Sequence, residues 1–319
     1  MRNLHSWVAA LAFTCMACVD IHAAHMEQKN PMQPIGNIGG SSGAVFPEGK
    51  NRLVLQSIYF SKDRAYDGDS KIADPSSKEL DVWMNNLTYR HGFGHNFDVR
   101  VNIPYVSKKL TQTLPSGPKK GEKFSFKQSG VGDTKIIARY QILHPKKGDN
   151  VLLAIGGGIK LPTGKHDKTF LNPMGTSVNP PNMRLGSGSL DYIAEIGLTK
   201  FLKNARIDLH TMYDYKTKGK HQFEYGNQFK WSAGYSHALT PLIDWQIEAV
   251  GFHNDKNKLN GKTIASSGGD VIFIMPGVHF KFKPSFDVSF GYAYPVYRDL
   301  NRGGLGEPHR LYAKFGYNF

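Results

Sequence analysis

The chain ends in H-R-L-Y-A-K-F-G-Y-N-F, residues 309–319. Leu311, Ala313, Phe315, Tyr317 and Phe319 alternate with Arg310, Tyr312, Lys314, Gly316 and Asn318. A period of two is that of a β-strand with one apolar, aromatic face and one polar, charged face. A strand that stops on Phe, without a polar tail, is expected where the last strand must pair with the first. A closed barrel in a membrane has that need, because an open sheet edge in lipid leaves backbone groups unsatisfied.

Working back from that strand, about twelve segments read as strands, and their connections alternate short and long. They fall near residues 52–60, 80–90, 97–106, 133–143, 151–161, 190–201, 207–215, 223–239, 243–252, 270–282, 286–297 and 309–319. Tight turns are expected at residues 91–96 (HGFGHN), 145–149 (PKKGD), 202–205, 240–241 and 283–285. Polar stretches separate the pairs. Short periplasmic turns, long extracellular loops and an even strand number are the pattern of an outer-membrane barrel, and a tilted membrane strand needs about 9–11 residues. The fold expected is therefore all-β: a transmembrane antiparallel up-and-down β-barrel of about 12 strands over residues 51–319. Alternation alone also suits a soluble sandwich. The loop pattern, the aromatic terminus and the N-terminal segment favour the membrane.

Mean hydropathy is −0.41. After the N-terminus no run approaches the roughly 20 apolar residues of a membrane helix, so strands must do the crossing. At the N-terminus, Arg2 precedes an apolar run over residues 7–19, and Ala23 and Ala24 offer a cleavage site. Residues 1–24 are thus read as a secretory signal peptide, which directs the chain through the periplasm to the outer membrane of a Gram-negative bacterium. Both cysteines, Cys15 and Cys18, fall inside it, so the exported chain has neither disulfide nor thiol chemistry. It keeps the formal charge of +14. Residues 25–50, rich in Gly, Ser and Pro, are expected as an irregular periplasmic segment: a flexible leader, or a small plug in the lumen.

In lipid the charged face of each strand must turn inward. Alternation then places Arg100, Lys135, Arg139, Arg206, Lys230, Arg310 and Lys314 in the lumen, with Asp98, Asp191, Glu195, Asp208, Asp214, Asp244, Glu248 and Asp287, and His210 beside them. The signs nearly balance. They are read either as a salt-bridge network that props a narrow barrel or as a constriction that selects solutes. The basic excess lies in loops, where Lys108, Lys109, Lys119, Lys120, Lys123 and Lys127 cluster. Lipopolysaccharide phosphate is the partner such a cluster suits, above all over residues 119–127. The other partners expected are the lipid bilayer, the outer-membrane assembly machinery through the strand ending at Phe319, and an unspecified small solute; nucleic acid is not expected. No metal or cofactor is expected: His91 and His95 flank a turn with no carboxylate cluster, and Asp63, Asp67 and Asp69 miss the calcium-loop spacing. Gly186–Ser189, reading GSGS, is not a nucleophile elbow, so the chain is not read as an enzyme.

Three short motifs stand out: GVGD at residues 130–133, LPTGK at 161–165 and LGSGSLD at 185–191. Their glycines and proline mark strand ends. With the terminal GYNF, this pattern resembles the MetA-pathway phenol-degradation family of transporter-like outer-membrane proteins, most clearly over residues 125–319. The resemblance implies a β-barrel channel for passive uptake of small molecules, aromatic or hydrophobic ones among them. The lumen charges keep two alternatives open: a channel for small polar or charged solutes, and a closed structural or adhesive barrel.

Overall fold

The computed structural model describes residues 36–143, 150–282 and 285–319; the leader expected over residues 1–24 and the turn at 145–149 lie outside them. Twelve antiparallel strands form the wall. They are β1 (Asn51–Lys62), β2 (Glu79–Gly94), β3 (Phe97–Thr113), β4 (Thr134–Leu143), β5 (Val151–Leu161) and β6 (Asp191–Phe201), then β7 (Ala205–Tyr215), β8 (Gln228–Ala238), β9 (Ile243–Asn254), β10 (Gly269–Phe282), β11 (Phe286–Gly306) and β12 (Arg310–Asn318). Each pairs with its neighbours in chain order, and β12 returns to β1 from Arg52↔Asn318 to Tyr59↔Leu311. Asn51 and Phe319 exchange two further backbone hydrogen bonds of 2.8 and 3.0 Å. The barrel is closed, as its terminal strand requires.

The short turns gather at one end, with residue 51 and the C-terminus. By the rule for such barrels this end is periplasmic. The hairpin from β2 to β3 shows the local chemistry: His95 and Asn96 both have positive φ, 49° and 61°, as a two-residue type I′ turn demands. At the other end several strands run past the bilayer. β3 continues into a hairpin with the added strand Lys123–Val131, paired from Tyr105↔Val131 to Thr113↔Lys123. The strand expected over 223–239 is interrupted: Phe223–Glu224 pairs with Lys258–Leu259 outside the wall, and β8 starts only at Gln228. Gly226 lies so close to the Asp255 backbone, 1.9 Å from a hypothetical Cβ to its carbonyl oxygen, that the chain turns there.

Side-chain polarity is inverted relative to a soluble protein. On β6, Asp191, Glu195 and Thr199 are buried, whereas Tyr192, Ala194 and Ile196 are exposed. Glu195 is 3% exposed and its neighbour Ile196 51%. Round the outside, Leu53 and Tyr317, Leu55 and Phe315, and Tyr59 and Leu311 pair across the closing strands with every side chain exposed. An outward face built of leucines and aromatics beside a buried charged interior has one physical setting, a hydrocarbon exterior.

The wall has a seam between β11 and β12 at its upper end. The β11–β12 ladder runs from Phe286↔Tyr317 to Ala293↔Arg310 and stops. Above it, residues 304–306 pair instead with residues 64–66, and Leu300 with Gly68. Residues 294–299 and 304–309 make no ladder pairs with one another among the described residues, and Pro295 and Pro308, which lack an N–H, both lie in this stretch. Arg298 bridges it, donating to the Glu307 carbonyl at 2.7 Å.

The inversion makes a direct prediction. Ile196→Arg, at the middle of β6 and facing out, lowers unfolding free energy in lipid vesicles by about 2–4 kcal/mol in a urea titration, whereas an inward site on the same strand tolerates its charge.

Candidate functional site

The lumen is filled at its periplasmic half by the chain itself. Residues 36–46 enter among the strands and lie largely buried. Nine of the twelve strands reach them by hydrogen bonds. Gly39 N–H donates to Glu248 Oε2 at 2.8 Å, Gly43 N–H to Thr199 Oγ1 at 2.9 Å, and Phe46 N–H to Asp98 Oδ2 at 2.7 Å. Arg139 donates to the carbonyls of Ala44 at 2.8 Å and Ser42 at 2.5 Å. Gln56 donates to Ile38 O at 2.6 Å, Lys314 to Asn37 O at 3.2 Å, and Lys230 to Gly39 O. The one large apolar side chain at the tip, Ile38, packs with Val250, Met275, Ala293 and Tyr312.

Glycine makes this fit possible on both sides. A Cβ on Gly43 would lie 2.2 Å from the Leu152 carbonyl oxygen, and one on Gly197 in the wall 2.5 Å from the Ser42 carbonyl oxygen. Backbone is pressed against backbone, so no side-chain rearrangement relieves an added methyl.

Round this segment the lumen charges pair off. Glu195 accepts from Arg100, forms an ion pair with Arg139 at 2.9 Å, and lies 3.5 Å from His210. Asp98 holds Arg90; Asp208 holds Arg206 at 2.7 Å; Asp214 holds Lys135 at 2.7 Å and Lys216 at 3.1 Å. Asp244 pairs with Lys281 at 2.6 Å, and Asp287 with Arg52 at 2.7 Å. The charged positions expected in the lumen by alternation all face inward, but they do not form one ring. Arg100, Arg139, Glu195 and His210 cluster at mid-barrel; Lys230, Glu248 and Lys314 grip the inserted segment; Asp191 and Arg310 belong to the extracellular half. Arg90, Gln141, Lys160 and Thr199 complete these clusters and were not expected. Their strand parity marks them as inward, and only their neutral or lone character hid them.

Above the segment, toward the long loops, lies a vestibule of about 1090 Å³. Phe60, Leu80, Met84, Leu110, Phe124 and Phe126 face it on one side, Phe252 and Val271 on another. Arg310 lies at its base, 4.9 Å from the Phe60 and Phe252 ring centroids and 4.5 Å from that of Phe273, and pairs with Glu307.

The three sequence motifs meet at the vestibule rim. Asp133 of GVGD accepts from Gly164 N–H at 3.0 Å, from Ser187 N–H at 2.8 Å, and from Lys160 at 2.8 Å. Lys160 also reaches Asp191 at 2.7 Å, which Ser189 supports at 2.8 Å. Thr163 donates to the Gly132 carbonyl at 2.8 Å. The motifs therefore form a latch that folds residues 161–191 inward over the mouth. Tyr225 fixes the tip of that loop, donating to Pro181 O at 2.9 Å. Burial pushes its hydroxyl up to about 12, so it stays a donor at every physiological pH. Lys108, which the sequence groups with the exposed basic loop, turns into the vestibule instead. Its Nζ donates to Asn182 O at 3.0 Å and Arg184 O at 2.5 Å, whereas Lys109 and Lys127 pair across strands outside. Among the described residues, no group of three or more His, Cys, Asp or Glu is placed to hold a metal ion.

These features define a class: a twelve-stranded transmembrane β-barrel whose own N-terminal segment occupies the lumen below an extracellular vestibule. The chain belongs to the family described as "Putative MetA-pathway of phenol degradation", whose model matches residues 62–298. Among solved structures it is similar to an outer membrane channel from Pseudomonas putida F1, with 14% identity and a TM-score of 0.66 over 86% of this chain and 97% of that one. It is also similar, at a TM-score of 0.47 and 9% identity over 86% of this chain and 90% of that one, to the toluene transporter TodX of Pseudomonas putida. No curated protein sequence matches the chain.

The latch is testable. Asp133→Ala removes the acceptor of two backbone amides and a buried ammonium, at a cost of about 3 kcal/mol. Hydrogen exchange should show the Gly164 and Ser187 amides losing protection, while β6 amides keep theirs.

Proposed function

We propose that the chain is a passive channel of the outer membrane for small molecules, with aromatic and other hydrophobic compounds favoured, and that residues 36–46 are its gate. The observation that carries this is the layout of the lumen. An open vestibule with apolar walls leads down to a segment that blocks the path, and the wall holds that segment by hydrogen bonds and one small apolar contact, not by a strand ladder. Such contacts can exchange for water as the segment withdraws toward the periplasm. The family's phenol-degradation description and the similarity to an outer membrane channel support the cargo and the role.

The β11–β12 seam favours a second route. Phe60, Leu305, Glu307 and Arg310 border both the vestibule and the seam. A hydrophobic solute leaving sideways there would enter the outer leaflet without passing the segment.

One experiment separates the routes. A Cβ on Gly40 lies 3.3 Å from that of Ser232, close to disulfide geometry, and the exported chain has no other cysteine. In proteoliposomes carrying Gly40→Cys with Ser232→Cys, toluene or phenol uptake should fall at least about tenfold on oxidation and return on reduction. Uptake indifferent to the staple overturns the gate and leaves the seam.

A further inference from the structure

The vestibule carries more positive charge than its apolar cargo needs. Its walls hold seven Lys and Arg against four Asp and Glu. Three of those acids are already committed: Asp133 and Asp191 to Lys160, and Glu307 to Arg310 and Lys62. The cations left without a carboxylate partner among the described residues are Lys78, Lys108 and Arg184. Lys108 and Arg184 are joined, and Lys78 faces the cavity from the same wall, two residues beyond Leu80. Lys108 Nζ is tied to the backbone carbonyl of Arg184, and Arg184 is anchored by Asn179 at 2.9 Å and by the Phe223 face at 5.2 Å. Two carbonyls leave the Lys108 ammonium a third donor, and Arg184 uses one guanidinium N–H for Asn179.

These three cations rim the most apolar wall of the cavity. Leu80, Val82, Val106, Leu110, Phe126 and Leu185 form one buried cluster, with Phe124 packed against it. Lys108 lies two residues from both Val106 and Leu110, and Arg184 directly precedes Leu185. A half-buried cation facing a cavity without a counter-ion is costly, and a bound anion removes that cost. An inorganic anion would leave the apolar wall wet; a neutral hydrocarbon would leave the cations unpaired.

We propose that the vestibule binds amphipathic carboxylates: an aromatic or aliphatic body lies on the wall of Leu80, Leu110, Phe124 and Phe126, and its carboxylate is held by Lys78, Lys108 and Arg184. This deepens the channel reading and rests on it, and it narrows the cargo to molecules with an apolar end and an anionic end. The cations near the mouth also draw such anions in, an effect that salt weakens.

The test is equilibrium binding by calorimetry to the purified full chain in non-ionic detergent at low salt. Three probes are compared: 4-phenylbutanoate, 4-phenylbutan-1-ol and acetate. The carboxylate should bind saturably, and the alcohol and acetate at least about tenfold more weakly, since each lacks one half of the match. Lys108→Gln should weaken 4-phenylbutanoate about tenfold and leave the alcohol unchanged, with Lys108→Arg retaining affinity. Lys78→Gln, at a half-buried position remote from the latch, gives the same reading should Lys108→Gln fold poorly; Lys109→Gln, facing outward, should do nothing. Equal binding of the acid and the alcohol, or of acetate and 4-phenylbutanoate, overturns the proposal, as does indifference to both Lys78→Gln and Lys108→Gln. Because binding is read without passage, these outcomes are independent of whether the staple blocks uptake.

Discussion

Hydrocarbon accepts neither an unpaired backbone amide nor an unpaired charge, and this one constraint organises the molecule. Closure of β12 on β1 satisfies the backbone. Turning Asp, Glu, Lys and Arg inward satisfies the exterior, but it moves the difficulty into a narrow lumen. There the charges must find partners or water, because removing one member of a buried pair costs about 3–5 kcal/mol. Most find each other, as Glu195 finds Arg100 and Arg139. The rest find residues 36–46, whose free amides and carbonyls answer Glu248, Lys230 and Lys314. The inserted segment thus completes an electrostatic pattern that the barrel wall leaves unfinished.

That dependence explains the composition of the segment. Lacking a strand partner, its backbone must meet the wall directly, so close approach is met by Gly43 on one side and Gly197 on the other. A segment held this way is ordered by many modest contacts, none of them a ladder, and is the part of the lumen best suited to move. The upper half of the barrel is built on the opposite plan. There the three motifs use one carboxylate, Asp133, together with the neighbouring Lys160 ammonium, to fix a loop, and the vestibule they frame is apolar on one wall and cationic at its rim.

Much of this was legible in the sequence, for a physical reason. Period-two alternation and the turn signals are local, so nine of the strands fall within a few residues of their expected places, while β3 and β11 start where expected and run on past the membrane. The strand read as 223–239 shows where locality fails: Phe223–Glu224 is extended and apolar-polar like the rest, yet its partner is a loop strand at Lys258–Leu259. Inward direction was likewise readable from parity, as for Asp208 and Asp214. Which inward residues meet was not, because Arg100 and Glu195 are three strands apart and only the curvature of the closed barrel brings them together. Lys108 was misread with its neighbours for the same reason. A run of lysines looks like a loop, and only the continuation of β3 beyond the membrane reveals that Lys108 and Lys109 point opposite ways.

The state of the lumen in the unmodified protein decides between a gated and an open barrel, and a single-channel recording in a planar bilayer reads that state. Refolded chain should show a closed baseline broken by discrete openings, as residues 36–46 leave and return. A steady ohmic conductance from the moment of insertion would mean that the segment does not block the path. Complete silence from folded, inserted protein would mean that it never leaves, and either result would contradict the gated channel described above.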